Sequence, residues 1–360
     1  MRGSRESTPA RKAAKIRSGR NFFSQSLHGM PFSCAQSGPA RVKIEFSRFH
    51  TWRFPLAARF LTCRTTLVGG VALSLFALTA CSSSSSSTVV PSSSGTSAAI
   101  QKDAALAAMV PASIVAAGNV RVGSDTTYPP SEFLDTDNIT IIGFDVDLGK
   151  AIGQVLGVPF QFQTAPFDSI ITGLGSKYDV GISSFTINPA REAKANMVSY
   201  FSAGTQWASA AGNPSGITPD TACGKKVAVQ TATVQETDLN ARSKACSASG
   251  KPAITIDSFG AQTAATAAVV AGKDDAMLSD LPVVIYAISQ SGGKLQAIGA
   301  QYEAAPYGVV VPKTETQFAT AIQGAVQKLI DGGQYAAILK KWDVAQGAVK
   351  TSELNPAASG

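Results

Sequence analysis

The stretch IIGFDVDLGKAIGQVLGVPFQF, residues 141–162, decides the fold class. Asp145 reads as a helix N-cap, Leu148, Ile152, Val155 and Leu156 recur at the spacing of one helical face, and Gly157 supplies a stop. Phe160 to Phe162 then has the short apolar run of a strand, and Val120 to Gly123 upstream has another. Strand, helix, strand in that order is the unit of an α/β protein with mainly parallel pairing.

The same grammar repeats outward. Asp168 to Gly175 reads as a short capped helix and Tyr178 to Ile182 as a strand. Strands are expected at 226–229 (KVAV), 253–256 (AITI), 276–278 (AML) and 295–298 (LQAI), with helices at Gln235 to Ser243, Ala261 to Ala271 and Pro282 to Gln290. Tyr307 to Val311 forms a last strand before helices at Glu315 to Ile330 and Gln334 to Trp342. Gly/Pro breaks at Gly212 to Gly216 and at Ala304 to Pro306 suggest one domain inserted in another through two crossovers. The expected division is one lobe from 119–211 with 306–345, a second lobe at 212–305, and a tail at 346–360. Such a hinge would place a cleft between the lobes.

The net charge of +7 invites a nucleic-acid reading until its distribution is considered. The first 80 residues carry 13 Lys/Arg and 2 Asp/Glu, which leaves the remainder acidic and without a basic stripe. No nucleic-acid partner is expected. Leu67 to Ala80 is an apolar run of 14 residues after Arg59 and Arg64, too short to span a bilayer comfortably and suited to a signal-peptide core. Leu78-Thr79-Ala80-Cys81 resembles a bacterial lipobox, in which Cys81 would take the lipid. We therefore expect an over-long start at 1–58, a lipoprotein signal peptide at 59–80, a Ser-rich tether at 81–97 and a lead-in helix at 98–118 broken by Pro111. The protein would sit on the outer face of the cytoplasmic membrane, held by its N-terminal lipid.

Both histidines, His28 and His50, fall in the leader, so a mature chain would hold none. That excludes Ser-His-Asp and Cys-His nucleophile systems and any His-ligated metal, and no cofactor is expected. Of five cysteines, Cys34 and Cys63 go with the leader, leaving Cys223 and Cys246. In an exported chain these two imply one disulfide, the alternative being two separately buried thiols.

Six stretches in order carry a family resemblance: VRVGSDTTYPP (120–130), IIGFDVDLGKAIGQVLGV (141–158), FDSIITGLGSKYDVGISSFTINPAR (167–191), GKKVAVQTATVQE (224–236), DDAMLSD (274–280) and APYGVVVPK (305–313). Residues 120–342 resemble the amino-acid substrate-binding proteins of ABC importers, solute-binding protein family 3. The resemblance implies a two-lobed, periplasmic-binding-protein-like α/β fold with two crossover hinge segments closing over one amino acid, a monomer that delivers its ligand to an ABC permease.

A zwitterion taken out of water needs a cation for its carboxylate and an anion for its ammonium. Arg191 matches the family's carboxylate-binding arginine, whose fork makes two parallel hydrogen bonds. Ser184 and Thr186 match positions that help hold the same carboxylate, and Thr233 lies in a loop whose free N–H groups favour an anion. The family usually has Gly-Thr-Thr where this chain has Ala232-Thr233-Val234, which puts one hydroxyl in doubt. Asp280 matches the ammonium-binding carboxylate, although before Pro282 it also suits a helix N-cap. Tyr128 and Phe167 match aromatic platforms for the ligand's side chain, and Ser131 stands where many relatives have an aromatic, implying a more polar or roomier wall. Asp125 matches an aspartate that accepts hydrogen bonds from basic or amide side chains, or else it caps a turn. The resemblance thus favours a polar or basic amino acid. An enzyme on the same fold, a dehydratase or peptidoglycan lyase, would need acids such as Glu132 or Asp168, each of which also reads as a surface or capping residue. A ligand-sensing module is the third possibility.

Overall fold

The computed structural model describes residues 99–356, so the leader, the signal segment, Cys81 and the tether to 97 lie outside the described residues. Two short helices, α1 (Ala104–Ala107) and α2 (Ala112–Ala117), flank Pro111. Strand β1 (Val120–Ser124) leads to a three-stranded antiparallel flap of β2 (Thr127–Tyr128), β3 (Glu132–Leu134) and β4 (Ile141–Ile142). Helix α3 (Phe144–Leu156) follows, then β5 (Phe160–Thr164), α4 (Phe167–Ile170), β6 (Val180–Gly181) and α5 (Pro189–Glu192). Beyond β7 (Ala195–Ala210) come β8 (Lys226–Gln230), α6 (Val234–Ala248), β9 (Thr255–Phe259), α7 (Gln262–Val270), β10 (Ala276–Asp280) and α8 (Leu281–Gln290). Strand β11 (Leu295–Pro312) and helices α9 (Thr316–Asp331) and α10 (Gln334–Lys341) complete the order.

The eight long-range strands form one sheet in the order β5-β1-β6-β11-β7-β10-β8-β9. Pairing is parallel on both flanks, β1 with β5 and β6 and β8 with β9 and β10, as the strand-helix-strand grammar requires. The middle is antiparallel, where β7 and β11 pair with each other and with β10 and β6, respectively. The sequence reading contains no strand over 195–210, yet β7 runs 16 residues there and pairs with β11 along almost its whole length. Nor does the chain break at Ala304 to Pro306, which lies within β11, where register shifts between Ile298, Tyr302 and Ala305 absorb the irregularity.

These two strands are shared by both lobes. Met197, Val198, Tyr200 and Phe201 of β7 enter the cores beside β1 and α3, while Trp207 and Ala208 enter the cores beside β8 and β10. Gly204 lies between these two sets, where a Cβ would approach the Tyr302 carbonyl oxygen to 2.5 Å, so close pairing there requires glycine.

Asp145 does not cap α3. Gly143 holds the N-cap position with φ of +137°, and a Cβ on it would lie 2.0 Å from the Ser131 carbonyl oxygen. The Asp145 carboxylate is instead fully buried and turned toward the interior. The expected cap on the 168–175 helix is likewise absent, since α4 starts after Pro166 without a side-chain cap and passes into a 3-10 turn at Ile171–Gly173.

Cys223 and Cys246 form a disulfide that ties the approach to β8 to the last turn of α6, across a separation of 23 residues. Replacing both by Ala is expected to lower unfolding stability by about 3 kcal/mol, the chain-entropy value for a loop of this size, in a denaturant titration. Non-reducing mass spectrometry of the native exported protein should find neither thiol alkylatable.

Candidate functional site

The C-terminal ends of β1, β6, β8 and β10 converge on one cleft, the usual place for a ligand in an open α/β sheet. It is narrow, with a cavity volume of about 10 Å³, and is lined by Asp125, Tyr128, Phe167, Ser183, Ser184, Thr186 and Arg191 from one lobe. Gln230, Thr233, Val234, Gln235 and Asp280 line it from the other. All eight residues that the sequence singles out for ligand contact meet here, joined by Ser183, Gln230, Val234 and Gln235, which it does not.

Arg191 is in the one-turn helix α5, started by Asn188, whose side chain accepts the Arg191 N–H, and by Pro189. Its guanidinium donates to the Thr186 carbonyl at 2.8 Å and, across the cleft, to the Ala232 carbonyl at 3.1 Å. It also lies over the Phe167 and Phe185 rings at 5.3 and 5.6 Å, and those rings stack on each other at 4.7 Å. Burial lowers its pKa to about 10, so it stays protonated at neutral pH. Phe167 is thus a support for the arginine, whatever else it touches. Thr186 contributes a carbonyl and pairs with Tyr307.

Asp280 stands at the N-cap position of α8 but caps nothing. Its two oxygens accept from the Tyr128 hydroxyl at 2.7 Å and the Gln235 amide at 2.9 Å. Tyr128 is therefore more than a ring surface: its buried hydroxyl also accepts from Ser279 Oγ at 3.0 Å and joins the two lobes. Asp125 caps a local turn with one oxygen and reaches the opposite lobe with the other. Oδ1 accepts from Thr127 N and Oγ1 in a local turn, and Oδ2 accepts from Gln230 Nε2 of the opposite lobe. Burial raises both carboxyls above the usual range, opposed by these donors.

Thr233 is the N-cap of α6, with its hydroxyl accepting from Glu236 N at 3.1 Å and donating to the Gln230 carbonyl at 2.7 Å. Glu236 reaches back to Ala232 N at 2.7 Å, so Thr233 and Glu236 make a variant of the capping box, and the hydroxyl serves the helix. Ser184, at φ of +48°, turns its N–H away to Asp145 Oδ2 at 3.0 Å. Ser131 does not line the cleft; it is buried beneath the start of α3, so no polar wall results from it.

Gln230 and Gln235 escaped the sequence reading because a glutamine at a strand end or in a first helical turn is usually a surface residue. Only their burial, at 1% and 2% exposure, marks them. Among the described residues no cluster of His, Cys, Asp and Glu has the arrangement to hold a metal ion, and no helix is long and apolar enough to cross a membrane.

Tyr128→Phe keeps the ring and removes the donor to a buried carboxylate. It is expected to cost about 1.5–3 kcal/mol of stability, measured by urea unfolding at neutral pH.

Comparison with known proteins places this geometry. Residues 120–345 match the bacterial extracellular solute-binding proteins, family 3. An arginine-binding protein, ArgT, of Corynebacterium glutamicum is 37% identical over 69% of this chain and 82% of its own length. A solved ancestral arginine-binding protein bound to arginine superposes with a TM-score of 0.58 at 31% identity, covering 62% of this chain and 98% of that one. The ancestral arginine-binding protein bound to glutamine gives a TM-score of 0.58 at 30% identity, covering 63% of this chain and 98% of that one.

Proposed function

The chain belongs to the bacterial extracellular solute-binding proteins, family 3, and on that premise we propose that it captures a basic L-amino acid, arginine first, for delivery to an ABC importer. One observation carries the reading: a single partly buried guanidinium, Arg191, shares a cleft with two buried carboxylates, Asp280 and Asp125. A ligand matching that set has one negative and two positive groups. Arg191 suits the α-carboxylate by a two-pronged hydrogen bond, and Asp280 suits the α-ammonium. Asp125 suits a side-chain donor and repels a carboxylate, which disfavours glutamate. The relatives bound to arginine and to glutamine support a side chain that donates hydrogen bonds.

The role is binding without catalysis, with ligand favouring the closed lobes because only closure brings Arg191 and Asp280 to the same molecule. We also propose that Cys81, outside the described residues, carries the lipid that holds a monomer at the outer face of the membrane. Release of a Cys81→Ser variant from the membrane fraction, with a monomer mass by sedimentation, is the expected result.

Titration calorimetry against arginine, lysine, histidine, glutamine, glutamate and leucine tests the ligand class. Arginine is expected to bind tightest and glutamate and leucine not at all; tight leucine or glutamate binding with basic ligands inert overturns the reading. Arg191→Ala should weaken arginine at least about thirtyfold, since removing one member of a buried charged pair costs roughly 2–5 kcal/mol or more. Because burial raises Asp280 and Asp125, their anionic forms are lost on acidification from above the ordinary carboxylate range, and affinity should fall over that window.

A further inference from the structure

Behind the cleft wall lie two carboxyl groups that no ligand contact explains. Glu132 on β3 and Asp145 in the first turn of α3 are both wholly buried. Glu132 Oε1 accepts from Ser183 Oγ at 2.8 Å. Asp145 Oδ2 accepts from the Tyr200 hydroxyl at 2.7 Å and Ser184 N at 3.0 Å. The remaining oxygens, Glu132 Oε2 and Asp145 Oδ1, have no donor among the described residues, although both are buried. No lysine or arginine pairs with either carboxyl among the described residues. The titratable groups that face the pair are Asp125 and Tyr200, with Tyr307 beyond Tyr200.

We propose that Glu132 and Asp145 share one proton, carried on Glu132 Oε2 and donated to Asp145 Oδ1, and that this bond positions the Ser183–Ser184 wall of the ligand cleft. The proton satisfies both orphaned oxygens at once, and it removes one of two like charges that could not both be ionised in this interior. Asp145, the ionised member, then suits its donors from Tyr200 and Ser184. The Glu132 carbonyl oxygen suits the Ser183 hydroxyl, whose own lone pair accepts from Asp125 N at 3.0 Å. A continuous relay thus runs from Asp145 through Glu132 and Ser183 to the backbone of Asp125. The same pair fixes the left-handed turn at Ser184. These are positioning residues, since neither lines the cleft.

Burial and the neighbouring Asp145 hold Glu132 well above the usual carboxylate range, and burial raises Asp145 to about 6 against the hydrogen bonds from Glu132, Tyr200 and Ser184. With Glu132 raised, the fold keeps a proton that the unfolded chain releases above the ordinary glutamate value. Its stabilising contribution is full in acid and is lost as pH rises through the folded value.

The wall's bearing on affinity rests on the proposed function, whereas the proton does not, so the full chain is tested in two ways. Infrared difference spectroscopy of the ligand-free protein between Glu132→Gln and wild type near pH 8 should show the carbonyl stretch of a protonated carboxylic acid in wild type and its loss in the variant. Absence of that band in wild type, or its persistence in Glu132→Gln, overturns the proposal even if arginine proves not to be the ligand. Glutamine keeps an acceptor for Ser183 and an N–H for Asp145, so Glu132→Gln should bind arginine within about threefold of wild type, while Glu132→Leu should lose at least about tenfold. The melting temperature of wild type should fall from about pH 6 to about pH 9 more steeply than that of Glu132→Gln. Equal losses in both variants, or identical pH slopes, overturn the positioning role. Should Glu132→Leu fail to fold, the band and the slopes decide.

Discussion

A charge can be kept away from water only where a partner meets it, and this constraint shapes the protein around its cleft. Asp280, Asp125 and Arg191 are all buried or nearly so, and each finds part of its hydrogen bonding in the opposite lobe. Tyr128 reaches Asp280, Gln230 reaches Asp125, and Arg191 reaches the carbonyl of Ala232. None of these groups could be satisfied by its own lobe alone in the arrangement seen. The closeness of the lobes and the chemistry of the cleft are therefore one problem, and the paired strands β7 and β11 are the part of the fold that lets it be solved, because they belong to both halves.

Legibility in the sequence followed the locality of the signal. The motif around 120–130, the helix face of Leu148, Ile152 and Val155, and the loop ending at Arg191 carry their own punctuation, so the flanks of the sheet and all eight proposed ligand contacts could be placed. Strand β7 could not. Nearly every residue from Ala195 to Ser209 is buried on one face or the other, which removes the alternation that marks a half-exposed strand. Ser, Gly, Thr and Gln within it then read as loop. In β11, Pro306 looked like an end to the strand, whereas the register shift beside it lets the pairing continue.

Asp145 illustrates how a correct residue type can carry the wrong local role. An aspartate before an amphipathic run is ordinarily a cap, and nothing in the neighbouring sequence announces that Gly143 already occupies that position. Its actual partners, Ser184 and Tyr200, are 39 and 55 residues away. Thr233 shows the opposite case, a residue matched to ligand binding whose hydroxyl is engaged in capping α6. Side-chain chemistry that depends on distant partners is set by packing, and periodicity has no access to it.

The two glutamines bear on how such a cleft distinguishes ligands. An ionised carboxylate has about four lone-pair positions, and Asp125 has committed three, two to Thr127 and one to Gln230. One position remains on Oδ2 for a ligand's donor. Asp280 has given one acceptor position on each oxygen, to Tyr128 and to Gln235, which leaves it the larger remaining capacity. In the proposed binding mode the ammonium common to all amino acids would thus meet the more accommodating carboxylate, and the variable side chain the more restricted one. Discrimination in that mode would rest on whether a side chain can satisfy a single, directed acceptor without leaving it buried and unpaired, a stricter demand than charge attraction alone.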